Sequence, residues 1–468
     1  MTETIRKNLN DHAWARWSAM LLIALMMLFA HMFVDVISPL KELIQVQRGW
    51  TSDVFGTYAG SEYLLNVWGF LIVAGIILDK MGLRFTGELS AIIMFAGACI
   101  KYYAISDAFI GSGLETWLNS WWVAMPASAK LASLGFMIFG CGCEMAGITA
   151  SKAMAKWFEG KEMALAMGLE MALARVGVFF IFTISPRIAG IGGADPSIVR
   201  PVAFCTALLL IGLICYTIFC LMDKKLDTQL GAAATGEPEE EFKLSDIGKI
   251  FSSRLFWIVA MLCVLYYSAI FPFQKFAANM LQSNLGITAT AAADIFRWFP
   301  VGAACITPLL GWYLDRKGKG ATMLILGSLL MIICHTTFAL VLPAVPSKVI
   351  AFSAIIVLGI SFSLVPAALW PSIPKIMDKR YLGSAYSLIF WVQNFGLSGT
   401  PIIIGYALEK SNPGVAEQIA AGVEGATYNY TVPMLLFASL GVLALLFALW
   451  LKADDKRNHY GLEEPNIK

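Results

Sequence analysis

Apolar runs of helix length, separated by short polar stretches, fill almost the whole chain. A membrane-crossing helix needs about 20 mainly apolar residues. Twelve stretches qualify: 16–38, 54–78, 83–105, 129–151, 164–185 and 201–222, then 254–275, 291–313, 321–342, 348–372, 381–405 and 431–452. The longest polar stretch, 223–253, separates the sixth from the seventh. It contains GAAATGEPEEE, Gly/Ala-rich and then acidic, and reads as a flexible linker followed by a short surface helix. The pattern predicts an all-α integral membrane protein of twelve transmembrane helices. Residues 1–222 form an N-terminal six-helix bundle, 223–253 the linker and 254–468 a C-terminal six-helix bundle. The start, MTETIRKNLNDH, lacks an apolar core with a cleavage site, so no removable signal peptide is expected.

Composition narrows the function. Charged residues make up 14% of the 468 and apolar residues 58%, whereas soluble domains carry about 25% charged residues. A soluble enzyme, a nucleic-acid binder and a disordered chain are excluded. The net charge of +2 calls for no acidic partner. The nine cysteines all fall in apolar runs, so no disulfide framework is expected, and Cys141 and Cys143 point to different helix faces, which disfavours a metal pair. No Ser-His, paired-Asp or HExxH constellation occurs at helix spacing, so no enzyme is expected. Neither is a cofactor. With both termini and the linker placed in the cytoplasm, the segments on that side hold more than twice as many Lys and Arg as the opposite loops. That bias fixes the orientation and suits a plasma or bacterial inner membrane.

The halves repeat. GIILDKMGLR (75–84) follows the second span and GWYLDRKGKG (311–320) the eighth; KEMALAMGLEMALARVG (161–177) aligns with RYLGSAYSLIFWVQNFG (380–396). A period near half the chain is the signature of duplicated transporter halves. The first pair, G-x-x-x-D-[RK]-x-G, resembles the signature loop of the major facilitator superfamily. In that loop Gly75 and Gly311 would let helices approach closely. Asp79 and Asp315, with Gly82, Arg84, Arg316 and Gly318, would form a gating latch at the cytoplasmic helix ends. Such a latch stabilises the outward-facing state and breaks on inward opening.

Ionisable residues at mid-bilayer cost about 2.5–3.5 kcal/mol on insertion scales, so each is a functional candidate. Arg175 lies near the middle of span 5. Glu144 lies in FGCGCEMAG of span 4, where Gly140, Gly142 and Gly147 should leave room around it. Spans 4 and 5 run antiparallel, so the two can approach, either as a structural ion pair or as anchors on a central cavity. An acid and a base at one site suit a zwitterion, with Arg175 gripping a carboxylate in a bidentate pair and Glu144 an ammonium. His31 and Asp35 stand i, i+4 on span 1 and should share a face. With Glu62 and Glu170 they are candidate proton or substrate ligands. Asp294 and Arg297 read as a surface pair, His335 as a packed core histidine, and Lys275, at the end of span 7, as a snorkelling lysine. Tyr267, Trp370, Gln393 and Asn394 supply rings and amides for a pocket wall, and Pro272, Pro366 and Pro371 interrupt the helices that carry them.

WFEGKEMALAMGLEMALARVG, YYSAIFPF, ALWP and VQNFGLSGTPIIIG are similar to the lysosomal dipeptide transporter branch of this superfamily, from the first span to the last. The resemblance implies dipeptide substrates moved without a strict need for a proton gradient. It implies that Glu144 and Arg175 hold the peptide termini and that Trp370 lines the site. Lys152, Lys156 and Glu170 depart from the expected pattern, and no dileucine sorting signal is present in the N-terminal tail. The ExxER pattern of proton-coupled peptide carriers is absent from span 1. The expectation is an alternating-access carrier of small peptides, monomeric, with a small-molecule substrate and the lipid bilayer as partners. The alternative is an organic-anion or other metabolite carrier in which Glu144 carries a proton.

Overall fold

The computed structural model describes residues 8–230, 247–377 and 382–465; most of the linker lies outside them. Among the described residues every regular element is helical. Ten helices are long and apolar enough to cross a membrane. Span 1 is Ala13–Val34, span 4 Ala127–Phe158, span 5 Met163–Ile188 and span 6 Val199–Leu230. Span 7 is Arg254–Leu285, span 9 begins at Gly320–Thr336, span 10 is Lys348–Ile376, span 11 Leu382–Lys410 and span 12 Thr431–Asn458.

Spans 2 and 8 are not the continuous helices the hydropathy predicts. Span 2 consists of Ser52–Ser61, Leu64–Val67 and the first part of Phe70–Ile105, whose remainder is span 3. Gly69 (φ +94°) interrupts the first stretch and Gly82 (φ +79°, ψ 173°) turns the chain from span 2 into span 3. Both angles belong to glycine, because a Cβ clashes there. Span 8 is split at Arg297 into Ala289–Phe296 and Trp298–Lys317. Helix ends carry ordinary caps. Ser253 accepts from the Phe256 amide to open span 7, and Gly286 (φ +61°) closes it. Span 6 continues to Leu230 and so takes in residues assigned to the linker by their polarity; a short helix, Ile247–Phe251, precedes span 7 as expected.

The packing repeats between halves. Span 1 packs on spans 5 and 6, span 2 on span 4 and span 3 on span 6. Span 7 packs on spans 11 and 12, span 8 on span 10 and span 9 on span 12. The halves meet through spans 2 and 11 and, in the pseudosymmetric position, spans 5 and 8. The contacts are tightest at the end remote from the termini, here called the distal end. There an ideal Cβ on Gly405 would lie 2.9 Å from the Gly56 Cα, and one on Gly60 would strike the Ser398 carbonyl. Such small-residue contacts let membrane helices close backbone to backbone.

Candidate functional site

Arg175 stands midway along span 5 and is half-buried. Its guanidinium lies 5.2 Å from the ring centroid of Phe362 on span 10. That ring belongs to an aromatic wall built by the second half. Tyr267 meets Phe362 edge-on at 6.0 Å and stacks with Phe271 at 5.6 Å. The Trp370 indole N–H donates to the Tyr267 hydroxyl at 3.3 Å, and the Trp370 ring stacks on Phe390 at 4.8 Å. The structure thus brings Arg175, Tyr267 and Trp370 to one wall, reached from spans 5, 7 and 10. An arginine over an aromatic face gains about 0.5–2 kcal/mol, which offsets only part of its desolvation.

Glu144 is half-buried on span 4. Neither it nor Arg175 forms an ion pair or hydrogen bond with another described residue, so the antiparallel spans do not join them in a structural pair. The room expected around Glu144 is smaller than the three glycines imply. A Cβ on Gly140 would strike the Glu62 carbonyl, and one on Gly142 would lie 2.8 Å from the Ser90 carbonyl; only Gly147 faces open space. Glu170 is half-buried without a partner among the described residues and does not pair with Arg175. On span 11, the Asn394 amide N–H bonds its own helix at Phe390 (2.9 Å), leaving a buried Oδ1 without a partner among the described residues. Gln393 is turned toward span 7, where it accepts from the Cys263 thiol at 3.0 Å.

The largest correction concerns Lys275. It does not snorkel, because span 7 continues to Leu285 and the residue is buried. Its ammonium lies 3.3 Å from Asp35 and 3.1 Å from Glu62, both buried, and donates to the Val34 carbonyl at 2.9 Å. Ser38 and Gln274 also donate to Asp35. The cluster therefore ties spans 1 and 2 of the first half to span 7 of the second. His31 does not share in it. The span 1 helix ends at Val34, Asp35 has left helical geometry (φ −109°, ψ 9°), and the His31 ring bonds the Met27 carbonyl at 2.8 Å instead. An i, i+4 relation holds only inside a helix.

Around this cluster the distal end is sealed. Gln282 donates to Glu42 (2.5 Å), Gln45 to the Tyr428 hydroxyl (2.9 Å) and the Ser52 amide to Glu409 (3.0 Å). Trp391 donates to the Val67 carbonyl and Ser398 to the Gly60 carbonyl, each at 2.9 Å. Arg187 pairs with Asp294 at 2.8 Å, and Arg297 with Asp294 at 2.9 Å as expected. Burial pushes the Tyr428 hydroxyl, in the distal loop, above its usual range. The sequence signal for this seal is slight: Lys275 and Asp35 each sit at the margin of an apolar window, where a charge looks unremarkable.

At the end that carries the termini, the repeated loops clasp their own halves. Asp79 pairs with Lys152 at 3.0 Å. Arg84 reaches Asp223 (3.3 Å) and Asp227 (2.5 Å), and Lys156 reaches the same carboxylates at 2.8 and 2.6 Å. In the second copy Arg316 lies over Trp312 at 4.8 Å, and Asp315 is likewise partnered. Gly75 and Gly311 do not mediate close approach: no described atom lies within 4 Å of a Cβ built on either. Gly318 (φ +70°) instead makes room for the C-terminal tail, whose Glu463 carbonyl accepts from the Lys319 amide at 3.0 Å.

The sequence matches the profile described as Major Facilitator Superfamily over residues 22–401 and again over 276–466. The chain belongs to this superfamily. It is 28% identical over 378 residues to the lysosomal dipeptide transporter MFSD1 of Danio rerio, covering 79% of this chain and 75% of the relative. It is 28% identical over 294 residues to that of Homo sapiens, covering 60% of each chain. Among solved structures, a bacterial homologue of the human lysosomal transporter Spinster superposes with a TM-score of 0.69 at 16% identity, over 94% of this chain and 97% of that one. The nucleoside transporter NupG superposes with a TM-score of 0.67 at 14% identity, over 93% and 99%. The major facilitator fold of this chain is thus supported by profile and by shape. It is a membrane transporter with membrane-spanning helices and relatives that carry dipeptides.

Proposed function

We propose that this carrier moves dipeptides by alternating access, with the ligand held between the halves. Arg175 takes the C-terminal carboxylate and Glu144 the N-terminal ammonium, while Tyr267 and Trp370 face the peptide's side chains and Asn394 offers its free carbonyl oxygen to the peptide amide. The observation that carries this reading is that Glu144 and Arg175 are two intramembrane charges with no ion pair or hydrogen bond among the described residues. A charge kept at such depth without a counter-ion is costly unless a ligand supplies one. The relatives named as dipeptide transporters support the substrate class. The charge bias supports placing both termini in the cytoplasm, and the sealed distal end then makes this an inward-facing form. In the same reading the 1–222 and 254–468 bundles rock against each other, and the Asp79 and Asp315 loops latch when the cytoplasmic ends close.

The test is flux into liposomes. Arg175→Ala is expected to lower uptake of free dipeptides at least about 30-fold, the loss of a buried charged contact of about 2 kcal/mol or more. C-terminally amidated dipeptides should lose far less. Equal loss for both would remove the carboxylate assignment, and transport of monocarboxylates instead of peptides would replace the substrate class.

A further inference from the structure

A second buried cation lies beside the distal cluster, and the reading above gives it no role. Lys101 of span 3 is fully buried, and its ammonium has no hydrogen-bond acceptor among the described residues. It sits in a cage of rings, 4.1 Å from the centroid of Phe33, 4.5 Å from that of Phe136 and 5.3 Å from that of Tyr58. All three rings and Lys101 belong to the first half. Lys275, from the second half, lies 5.3 Å from the same Phe136 ring. The cage adjoins the carboxylates: Phe33 nearly precedes Asp35 in the chain, and Tyr58 stands one helical turn before Glu62. The Tyr58 hydroxyl is buried without a hydrogen bond among the described residues, and the Glu62 oxygen nearest Lys275 has that ammonium, at 3.1 Å, as its partner.

Opening the distal end carries Lys275 away with the second half. Asp35 and Glu62 stay behind in the first half with no cation bonded to them, and a buried carboxylate without a counter-charge is strongly disfavoured. We infer that Lys101 is the standby counter-ion of Asp35 and Glu62, held on aromatic faces while Lys275 occupies the carboxylates and swinging onto them when the distal end opens. The hand-over lets the halves separate without protonating either acid. The cage suits this role because a cation on π faces is held without an acceptor that must be broken. The inference rests on the alternating-access reading.

The titratable groups facing Lys101 are Tyr58 on span 2, Cys205 on span 6, Lys275 on span 7, and the two carboxylates themselves. Those facing Glu62 are Asp35, Tyr58, Tyr63, Lys101, Lys275 and, from span 4, Cys143 and Glu144; Asp35 is faced by Glu62, Tyr58, Tyr63, Lys101, Lys275 and, on its own span, His31. A proton on Asp35 or Glu62 is therefore the competing way to keep the opened half neutral, and it is separable by pH.

The experiment measures the distance distribution between spin labels at Ile110 and Glu417, on opposite halves of the distal face, at about pH 7.5 and about pH 5, a range that brackets carboxylate titration in buried sites. Lys101→Met is expected to lower the distal-open population at least about tenfold at the higher pH. Recovery is expected at the lower pH, and in a Glu62→Gln background Lys101→Met is expected to leave the distal-open population at the level of Glu62→Gln alone at both pH values. An unchanged population in Lys101→Met overturns the hand-over. So does a loss that persists both in acid and in the Glu62→Gln background, which marks a merely structural lysine. Lys101→Gln carries the same expectations should Lys101→Met not fold. A wild type that never populates the distal-open distance overturns alternating access itself and the hand-over with it; a failure confined to Lys101→Met leaves the carrier reading intact.

Discussion

The Lys275 ammonium of the second half lies 3.1 Å from the Glu62 carboxylate of the first, and both are buried. This contact, with Asp35 at 3.3 Å, is the only place among the described residues where a buried ion cluster crosses between halves. Removing one member leaves the others without a counter-charge, which costs about 3–5 kcal/mol in a buried pair. Lys275→Ala is therefore expected to weaken the closed distal end. Spin-label distances across the distal face should shift toward separation, and thermal stability should fall by several degrees.

The Asp223 carboxylate is buried and receives Lys156 at 2.8 Å, the Trp157 indole N–H at 2.9 Å and Arg84 at 3.3 Å. Asp79 is half-exposed and pairs with Lys152 at 3.0 Å. Asp223→Ala should cost about 1–3 kcal/mol, because it leaves the buried Trp157 N–H unpaired while Asp227 still meets Arg84 and Lys156. Asp79→Asn should change stability by about 1 kcal/mol or less, so any effect of it on transport reports on conformational cycling. Thermal unfolding of the purified variants, alongside flux, separates the two.

The indole N–H of Trp370 holds the Tyr267 hydroxyl at 3.3 Å. Trp370→Phe keeps a ring for stacking on Phe390 and removes the donor. Losing one neutral hydrogen bond costs about 0.5–1.5 kcal/mol, so dipeptide affinity is expected to fall about three- to tenfold with little change in unfolding temperature. Isothermal titration or competition binding checks it.

At the surface of the terminal end, Asp11 accepts from Lys161 at 3.0 Å, which holds its carboxyl below the usual aspartate range. A depressed carboxylate contributes stability above its unfolded value and loses it as pH falls through its folded one. Acid should therefore release the N-terminal segment from the span 4–5 loop. Hydrogen exchange near residues 9–12 is expected to quicken below about pH 4 in wild type, and to be fast at neutral pH in Asp11→Asn.

Hydropathy marked the apolar segments because burial of backbone in lipid demands long helices, and it placed Arg175 and Glu144 at depth for the same reason. It passed over the break at 62–69, since LLNVWGF stays apolar through a local change of backbone angle that Gly69 permits. It ended span 7 at Lys275 because a window stops at a charge, whereas the helix continues and its charge meets two acids from the other half. Lys101 escaped notice in the same way: a lysine near a span end looks interfacial until three rings from other helices are seen to enclose it. Pairings across distant segments leave no periodic trace in a single sequence. The close approach expected of Gly75 and Gly311 is not made, and these glycines face open space.

The contact of Gly56 with Gly405 and of Gly60 with Ser398 sets bare main chain against main chain. Neither partner has long side chains to immobilise there, so zipping and unzipping that seam freezes almost no rotamers. A door hung on such a seam can swing many times with small entropic resistance, and its timing is left to the charges beside it. Adding bulk to one of these glycines should wedge that seam apart while leaving Arg175 and Glu144 untouched.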